Sequence, residues 1–223
     1  MKKILVIVAH PDDEVLGCGG TIAKLIDQSC QVKVIFLSDG ESSRLQKVSK
    51  KKNDYRKNCA KKAMRILGVK NFSFDNLPDN EFDKISLLTI TKKIEKEIKK
   101  FNPDTVLTHH NSDLNIDHQI TSKAVLTACR PKIKNNVKLI LFFEILSSTE
   151  WNIASKKYFF NPNWYEDITK YMNIKIRAIK CYKKELRKSP HSRSIETIKA
   201  LSVFRGSSSG VKNAEAFQLG RKI

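Results

Sequence analysis

Two short stretches of the chain concentrate side chains able to do chemistry. The first, Ala9-His10-Pro11-Asp12-Asp13-Glu14, puts an imidazole and three carboxylates into five residues. Like charges that close are costly unless something positive sits among them, and a divalent cation would do so. His and carboxylate donors suit zinc, at about 2.0–2.2 Å. Pro11 fixes its own φ and biases His10 toward extended backbone, which would turn the loop so that only some of the acidic groups face inward. The second stretch, His109-His110-Asn111-Ser112-Asp113-Leu114-Asn115-Ile116-Asp117-His118, offers further ligands. One histidine from it would complete a His-Asp-His set and leave a position open for water, the pattern of a catalytic zinc site. Such an ion lowers the pKa of water and polarises a carbonyl. An unligated carboxylate nearby then takes the water's proton. The competing reading is a loop with capping Asp residues and a solvated histidine. It accounts for one stretch adequately and for two less well.

Elements that could bring the stretches together are legible around them. Ile4 to Ala9 is a continuous apolar run and predicts a strand buried on both faces, as in a parallel sheet, rather than a signal peptide. Val15 to Asp27 has helical spacing. Val32 to Leu37 is a second strand, ending at Ser38-Asp39-Gly40. Tyr55 to Leu67 is a helix that stops at Gly68. Val69 to Phe74 predicts a third strand, Ile85 to Lys100 a helix, Thr105 to Thr108 a fourth strand, Ile120 to Cys129 a helix and Lys138 to Ile145 a fifth strand. This alternation means βαβ units in an α/β fold with a parallel sheet. Ligands of such sheets bind beyond the carboxyl ends of the strands. The polar clusters at residues 10–14, 38–41 and 109–118 fall there, which predicts one shared site. Beyond residue 150, Ile168 to Leu186 and Ile195 to Phe204 read as helices and Ser207 to Gly210 as a loop. With no repeat and no linker, residues 1–223 are expected to form a single domain.

The chain has 223 residues, enough to bury a core without disulfides. Its five cysteines, Cys18, Cys30, Cys59, Cys129 and Cys181, include no C-x-x-C pair, which points to a reduced, cytoplasmic setting. No stretch is apolar enough to span a membrane. Lys and Arg outnumber Asp and Glu by 42 to 23, a net charge of +19 that attracts anions. Runs such as Lys50 to Lys52 and Lys183-Lys184 read as solvated helix faces; a phosphate-bearing substrate or contact with an anionic membrane surface also fits. Nucleic acid is not expected as a partner, because no recognised DNA- or RNA-binding motif is present.

The two stretches also carry a resemblance. Ala9 to Glu14 followed by Leu16-Gly17-Cys18-Gly19-Gly20-Thr21 resembles the signature of the PIG-L/LmbE-like zinc-dependent N-deacetylases, and Asp117-His118 resembles that family's second signature. Ser38-Asp39-Gly40, Arg56 with Leu67-Gly68, and Ala214-Glu215-Ala216-Phe217 are weaker matches. The resemblance implies a Rossmann-like three-layer sandwich, a mostly parallel sheet and removal of N-acetyl from a glucosamine-type group. By position, His10, Asp13 and His118 would ligate Zn2+, with Fe(II), Co(II) or Mn(II) as other occupants of such donors. Asp12 would be the general base, and Asp117 would orient an imidazole. Asp39 and Arg56 would face the substrate, an N-acetylated sugar that is free, nucleotide-linked or lipid-linked. Homo-oligomers are in keeping with the family. Several members carry a histidine three residues before the final ligand, to stabilise the oxyanion. Asn115 stands there in this chain. Its amide can donate a hydrogen bond but carries no charge, so either His109 or His110 supplies that function or the metal does more. Asn58 and Cys59 replace the usual acidic residues after Arg56.

Other residues have plainer readings. Gly17 to Gly20 lacks the spacing of a dinucleotide-binding turn and reads as close helix–sheet packing. Cys18 reads as a packed small residue. His191 reads as a surface or capping residue, with a substrate contact as the alternative; Arg193 and Arg205 read as salt-bridge partners, with phosphate binding as the alternative; the aromatic stretch from Trp151 to Trp164 reads as core, with stacking on a sugar ring or an oligomer contact as the alternative. The rival functions are the same site acting on another N-acyl compound, a basic nucleic-acid-binding protein, and a binder without catalysis.

Overall fold

Why the first apolar run lies at the centre follows from its two faces. A computed structural model of the chain describes residues 2–41, 54–131, 136–153 and 159–223. In it the run forms β1 (Lys3–Val8). Ile4, Val6 and Val8 enter one apolar core, and Leu5, Ile7 and Ala9 enter another on the opposite face. Helices covering both faces give a strand apolar throughout, the signature of a buried parallel sheet.

The remaining elements follow in chain order: α1 (Asp13–Asp27), β2 (Gln31–Ser38), α2 (Asp54–Leu67), β3 (Asn71–Leu77), α3 (Leu87–Phe101), β4 (Thr105–His109), α4 (Ile116–Ala128) and β5 (Leu139–Phe143). Then come β6 (Trp164–Asp167), α5 (Met172–Ile179), α6 (Ile195–Ser207) and β7 (Ala214–Lys222). The sheet order is β3-β2-β1-β4-β5-β7-β6. The pairs β1–β2, β1–β4, β2–β3 and β4–β5 are parallel, whereas β7 runs antiparallel to both β5 and β6. This is the expected α/β, Rossmann-like sandwich with a mostly parallel sheet. The strand order reverses between β1 and β4, and ligands bind at such a switch point. Both chemistry-bearing stretches begin there.

The C-terminal third departs from the expected pattern. The single helix read over 168–186 is three pieces: a 3-10 turn at Thr169–Tyr171, α5, and a second 3-10 turn at Lys180–Tyr182. The tighter turns carry Tyr171 and Tyr182, whose hydroxyls donate to Asp27 and Glu14. The strands β6 and β7 had no sequence reading. β6 is only four residues long, and β7 buries a charged residue, Glu215, which breaks its apolar pattern.

Glu215 explains the Ala214-Glu215-Ala216-Phe217 motif. Helix α1 is kinked at Cys18 (φ −148°). Beyond the kink, the N–H groups of Gly20 and Thr21 donate to Glu215 at 2.8 and 2.6 Å. Lys175 of α5 donates to Glu215 and to the Leu16 carbonyl, so the Leu16, Gly20 and Thr21 backbone groups at the kink have partners. The glycines there allow close packing as read: a Cβ on Gly17 would lie 2.4 Å from the Phe143 ring, and one on Gly20 2.8 Å from Ile168. Cys18 is fully buried, in keeping with its packing role. Removing one partner of a buried ion pair strands the other charge. Lys175→Met is therefore expected to destabilise the protein by about 3 kcal/mol, read as a lower urea midpoint at unchanged m-value.

All five cysteines are unpaired. Among the described residues, no helix is long and apolar enough to cross a membrane. The run Lys50 to Lys52 and Tyr158 lie outside the described residues. Lys184 is not simply solvated: its ammonium lies 4.2 Å from the centre of the Tyr55 ring.

Candidate metal centre

The loop after β1 leads straight into α1, and Asp12 is that helix's N-cap. Its φ of 110° is left-handed, and its carboxylate makes no capping hydrogen bond. A non-glycine residue in that region is strained by about 1–3 kcal/mol, which surrounding contacts must offset. Pro11 was expected to turn some of the acidic groups outward. Instead Asp12, Asp13 and Glu14 are all buried, in three directions. Asp13 faces imidazoles, Asp12 faces arginines, and Glu14 accepts from the Tyr182 hydroxyl and the Asp12 N–H. Burial pushes the Glu14 carboxyl up to about 8 despite those hydrogen bonds.

The loop after β4 supplies the other half. Asn115 caps α4: its Oδ1 accepts from the N–H groups of Asp117 and His118. That cap brings Asp117 and His118 onto the first turn of α4, facing β1. Asp13 Oδ2 stands 3.5 Å from His10 Nδ1 and 3.4 Å from His118 Nε2. Donor atoms of His10, Asp13 and His118 lie within 4.8 Å of one another, all buried. Two ligands of a tetrahedral zinc at about 2.0–2.1 Å stand about 3.3–3.4 Å apart, so this spacing fits such an ion.

The far nitrogen of each imidazole faces a carboxylate, through a hydrogen bond for His10 and an ion-pair contact for His118. His10 Nε2 is 2.9 Å from Asp117 and 3.1 Å from Asp79. Asp117 also accepts from the N–H groups of Asn80 and Phe82. His118 Nδ1 is 3.1 Å from Asp113, which in turn accepts from Ser148 and Thr149. A carboxylate on the outer nitrogen fixes the ring and its tautomer, as found around metal-ligating histidines. Asp79 and Asp117 with His10 form a second cluster within 4.8 Å. The backbone donors fix Asp117 beside His10.

The carboxylates dominate the electrostatics of this pocket. Burial pulls His118 down, but Asp13 and Asp113 outweigh it and hold the ring up at about 9. His10 is likewise depressed by burial yet raised well above its usual value by Asp117, Asp13 and Asp79. Metal ligation requires the free imidazole, so binding must expel these protons. Because both groups are raised, they are protonated at neutral pH and metal affinity falls as pH falls. Calorimetry of zinc binding at pH 7, in buffers of different protonation enthalpy, is expected to show net proton release, His118 contributing one proton.

The comparisons with known proteins decide the family. Residues 5–129 match the PIG-L family, described as GlcNAc-PI de-N-acetylase. This chain belongs to the PIG-L family. The diacetylchitobiose deacetylase of Thermococcus kodakarensis is 28% identical over 98% of this chain and 83% of its own length. Among solved structures, the N,N'-diacetylchitobiose deacetylase of Pyrococcus horikoshii superposes with a TM-score of 0.79 at 24% identity, covering 99% of this chain and 84% of the other. The 4-carboxy-2-hydroxymuconate hydratase GalB of Pseudomonas putida superposes equally well, at 0.79 and 22% identity over 100% and 98% of the two chains. The fold is thus compatible with a different reaction, and chemistry has to be argued from the site.

The PIG-L match ends at residue 129, yet later residues complete the site. Arg193 lies 2.9 Å from Asp12 Oδ2, Glu185 lies beside it, and Ser148 and Thr149 support Asp113. Sequence reasoning gave Arg193 and Arg205 salt bridges; Arg205 pairs with Glu144, but Arg193 pairs with the expected base. Asp79 and Asp113 had been given no role. Asp79 follows the end of β3 as the other clusters follow their strands, a signal that could have found it.

Three expected substrate contacts are placed otherwise. Arg56 is only 4% exposed and donates to Asp12, the Pro11 carbonyl and the Gly40 carbonyl. His109 is fully buried, stacks on His118 at 4.0 Å and accepts the Ala9 N–H on Nε2. Burial and the neighbouring His118 push its pKa well down, so it stays neutral. His110 turns to Gln218 of β7, and burial lowers its pKa as well. Neither ring brings the positive charge missing at Asn115. Asn115 is itself a helix cap, with its amide nitrogen on Asn80. Asp39 accepts the Glu41 N–H in a local turn and is partly exposed.

Proposed function

We propose that this chain is a metal-dependent amidohydrolase that removes an N-acetyl group from an amino-sugar substrate, with residues 1–223 acting as one catalytic domain. The observation that carries this reading is the ligand geometry. Two imidazoles, each facing a carboxylate on its outer nitrogen, flank Asp13 at zinc-ligand spacing, beside a further carboxylate on Asp12. His10, Asp13 and His118 would hold the ion, with zinc as the occupant best suited to those donors. A bound ion there would supply Lewis acidity, activating a water and polarising the acyl oxygen.

The chain's own residues do the rest. Asp117, with Asp79, orients His10, and Asp113 orients His118. Asp12 accepts the proton of the attacking water and returns it to the departing amine nitrogen, so that acetate and a free amine are the products. Asp13 is held well below the usual carboxylate range: burial raises it, but the charged His118 ring and the hydrogen bonds from His10 and His118 outweigh that. It therefore stays ionised as a ligand.

Support for a sugar comes from the relatives' substrates and from the rim. Trp151 was read as core but is 52% exposed, on a loop whose Asn152 donates to the Ser112 carbonyl. Its indole meets His191 edge-on at 5.6 Å. A half-exposed indole on an anchored loop suits the apolar face of a pyranose. Phe159, also expected in the core, is exposed too. The +19 charge favours a phosphate-bearing substrate over a neutral one. A cytoplasmic setting and a homo-oligomeric state belong to the same proposal.

Free-amine detection across N-acetylglucosamine, N,N'-diacetylchitobiose and a nucleotide diphosphate N-acetyl sugar tests it. Amine release from at least one is expected, with the diphosphate sugar turned over fastest. Release only from non-sugar N-acyl compounds would move the substrate class. Water addition to an unsaturated acid without amine release would make the chain a hydratase.

A further inference from the structure

The carboxylate of Asp12 is held more tightly than a proton acceptor needs. Both of its oxygens face a guanidinium: Oδ1 lies 2.9 Å from Arg56 Nη2, and Oδ2 lies 2.9 Å from Arg193 Nη1. The two arginines differ in what else restrains them. The Arg56 side chain is 5% exposed and also donates to two backbone carbonyls, those of Pro11 and Gly40. It is part of the core beneath the loop.

Arg193 reaches the same carboxylate from the other end of the sequence, one residue before the cap of α6. Its side chain is 19% exposed. Its Nε donates to Ser147 Oγ, and Nη1 also lies 3.4 Å from Glu185 Oε2. The backbone that delivers it is pinned. The Arg193 N–H donates to His191 Nδ1, the Arg193 carbonyl accepts from the Arg187 N–H, and Ser194 caps α6 through the Thr197 N–H. The guanidinium is thus aimed at Asp12 by a fixed frame, with a second carboxylate within reach.

An ionised carboxylate oxygen offers two lone-pair sites, so Oδ2 can keep the Arg193 N–H on one and take a water's proton on the other. Arg56, buried and tied to backbone, is on Oδ1. We propose that Arg193 is a positioning residue for Asp12: its guanidinium, steadied by Glu185 and Ser147, fixes the direction of Oδ2 so that the oxygen's remaining lone pair faces the attacking water. No covalent bond of Arg193 changes. The water proton goes to the open lone pair of Asp12 Oδ2, and the Arg193 N–H stays on that oxygen. This inference rests on the amidohydrolase reading given above.

Two measurements test it, one of them independent of turnover. The first is a double-mutant cycle on urea unfolding of the full chain with Asp12→Asn, Arg193→Met and the double variant. Clear non-additivity is expected; additive effects would overturn the contact itself. The second compares steady-state kinetics of wild type, Arg193→Met and Arg193→Lys, with metal content measured in each. Misplacing a reacting group by about 1 Å costs about 10²-fold. Arg193→Met is expected to lose about that much in kcat, with KM and bound metal nearly unchanged, Arg193→Lys in between, and partial rescue by millimolar guanidinium. A rise in KM alone, or kcat close to wild type, would overturn the proposal. Wild type releasing no amine from any N-acyl substrate would instead refute the hydrolase reading, while the unfolding cycle would still decide whether Arg193 holds Asp12.

Discussion

Asp12→Asn is expected to lower kcat by about 10³-fold or more while metal stays bound at wild-type stoichiometry. General base catalysis by a positioned side chain contributes about 10²–10⁴-fold, and an amide cannot take a proton from water. Asp12 donates no atom to the His10, Asp13 and His118 cluster, so removing its charge leaves the ligands in place. The choice of Asn over Ala matters physically. Arg56 is buried beside Asp12, and Ala would leave that charge with no side-chain acceptor at Oδ1, at a cost of about 3–5 kcal/mol. Asn keeps an oxygen there for the guanidinium. Folding is checked by the urea midpoint, metal by elemental analysis and turnover by amine release. If Asp12→Asn kept a tenth or more of wild-type kcat, Asp12 could not be the base.

His118→Ala is the second large effect, and it acts on metal first. The variant is expected to lose both bound metal and turnover. His118 is one of only two imidazoles in the proposed ligand set, and its ring is gripped on both sides, 3.4 Å from Asp13 and 3.1 Å from Asp113. Losing an orienting partner typically costs about 10–100-fold in metal affinity, and losing the ligand itself costs more. Asp113→Asn should therefore fall between wild type and His118→Ala. Competition with a chromophoric chelator orders the three. Equal affinity in wild type and His118→Ala would remove His118 from the ligand set.

Much of this site was legible in the sequence because its parts lie at strand ends. The run from Ile4 to Ala9 had to be central, since it is apolar on both faces, and that alone placed His10 to Glu14 at the sheet edge. His109 to His118 followed a second buried strand by the same logic. What could not be read were contacts between distant segments that share no periodicity. Arg193 sits in a polar loop whose sequence says only that it is a loop, yet its guanidinium reaches Asp12 across 181 positions. Arg56 looked like a substrate residue because nothing local predicts burial of a guanidinium; burial is offset by Asp12, by Glu185 at 3.9 Å and by two carbonyls from elsewhere. His109 and His110 are adjacent, and one points to the ligand cluster and the other to β7, because side chains alternate across a strand. The kink in α1 was hinted at by its glycines, but its partners, Glu215 and Lys175, lie in elements that a short strand and broken helical turns concealed.

The central claim is that a cation held by His10, Asp13 and His118 is required to split an N-acetyl bond. The direct measurement is amine release from an N-acetylated amino sugar before chelation, after it, and after one equivalent of zinc is restored. Activity that disappears with the metal and returns with it is the expected result. Amine release that continues at full rate in metal-free protein would contradict the account.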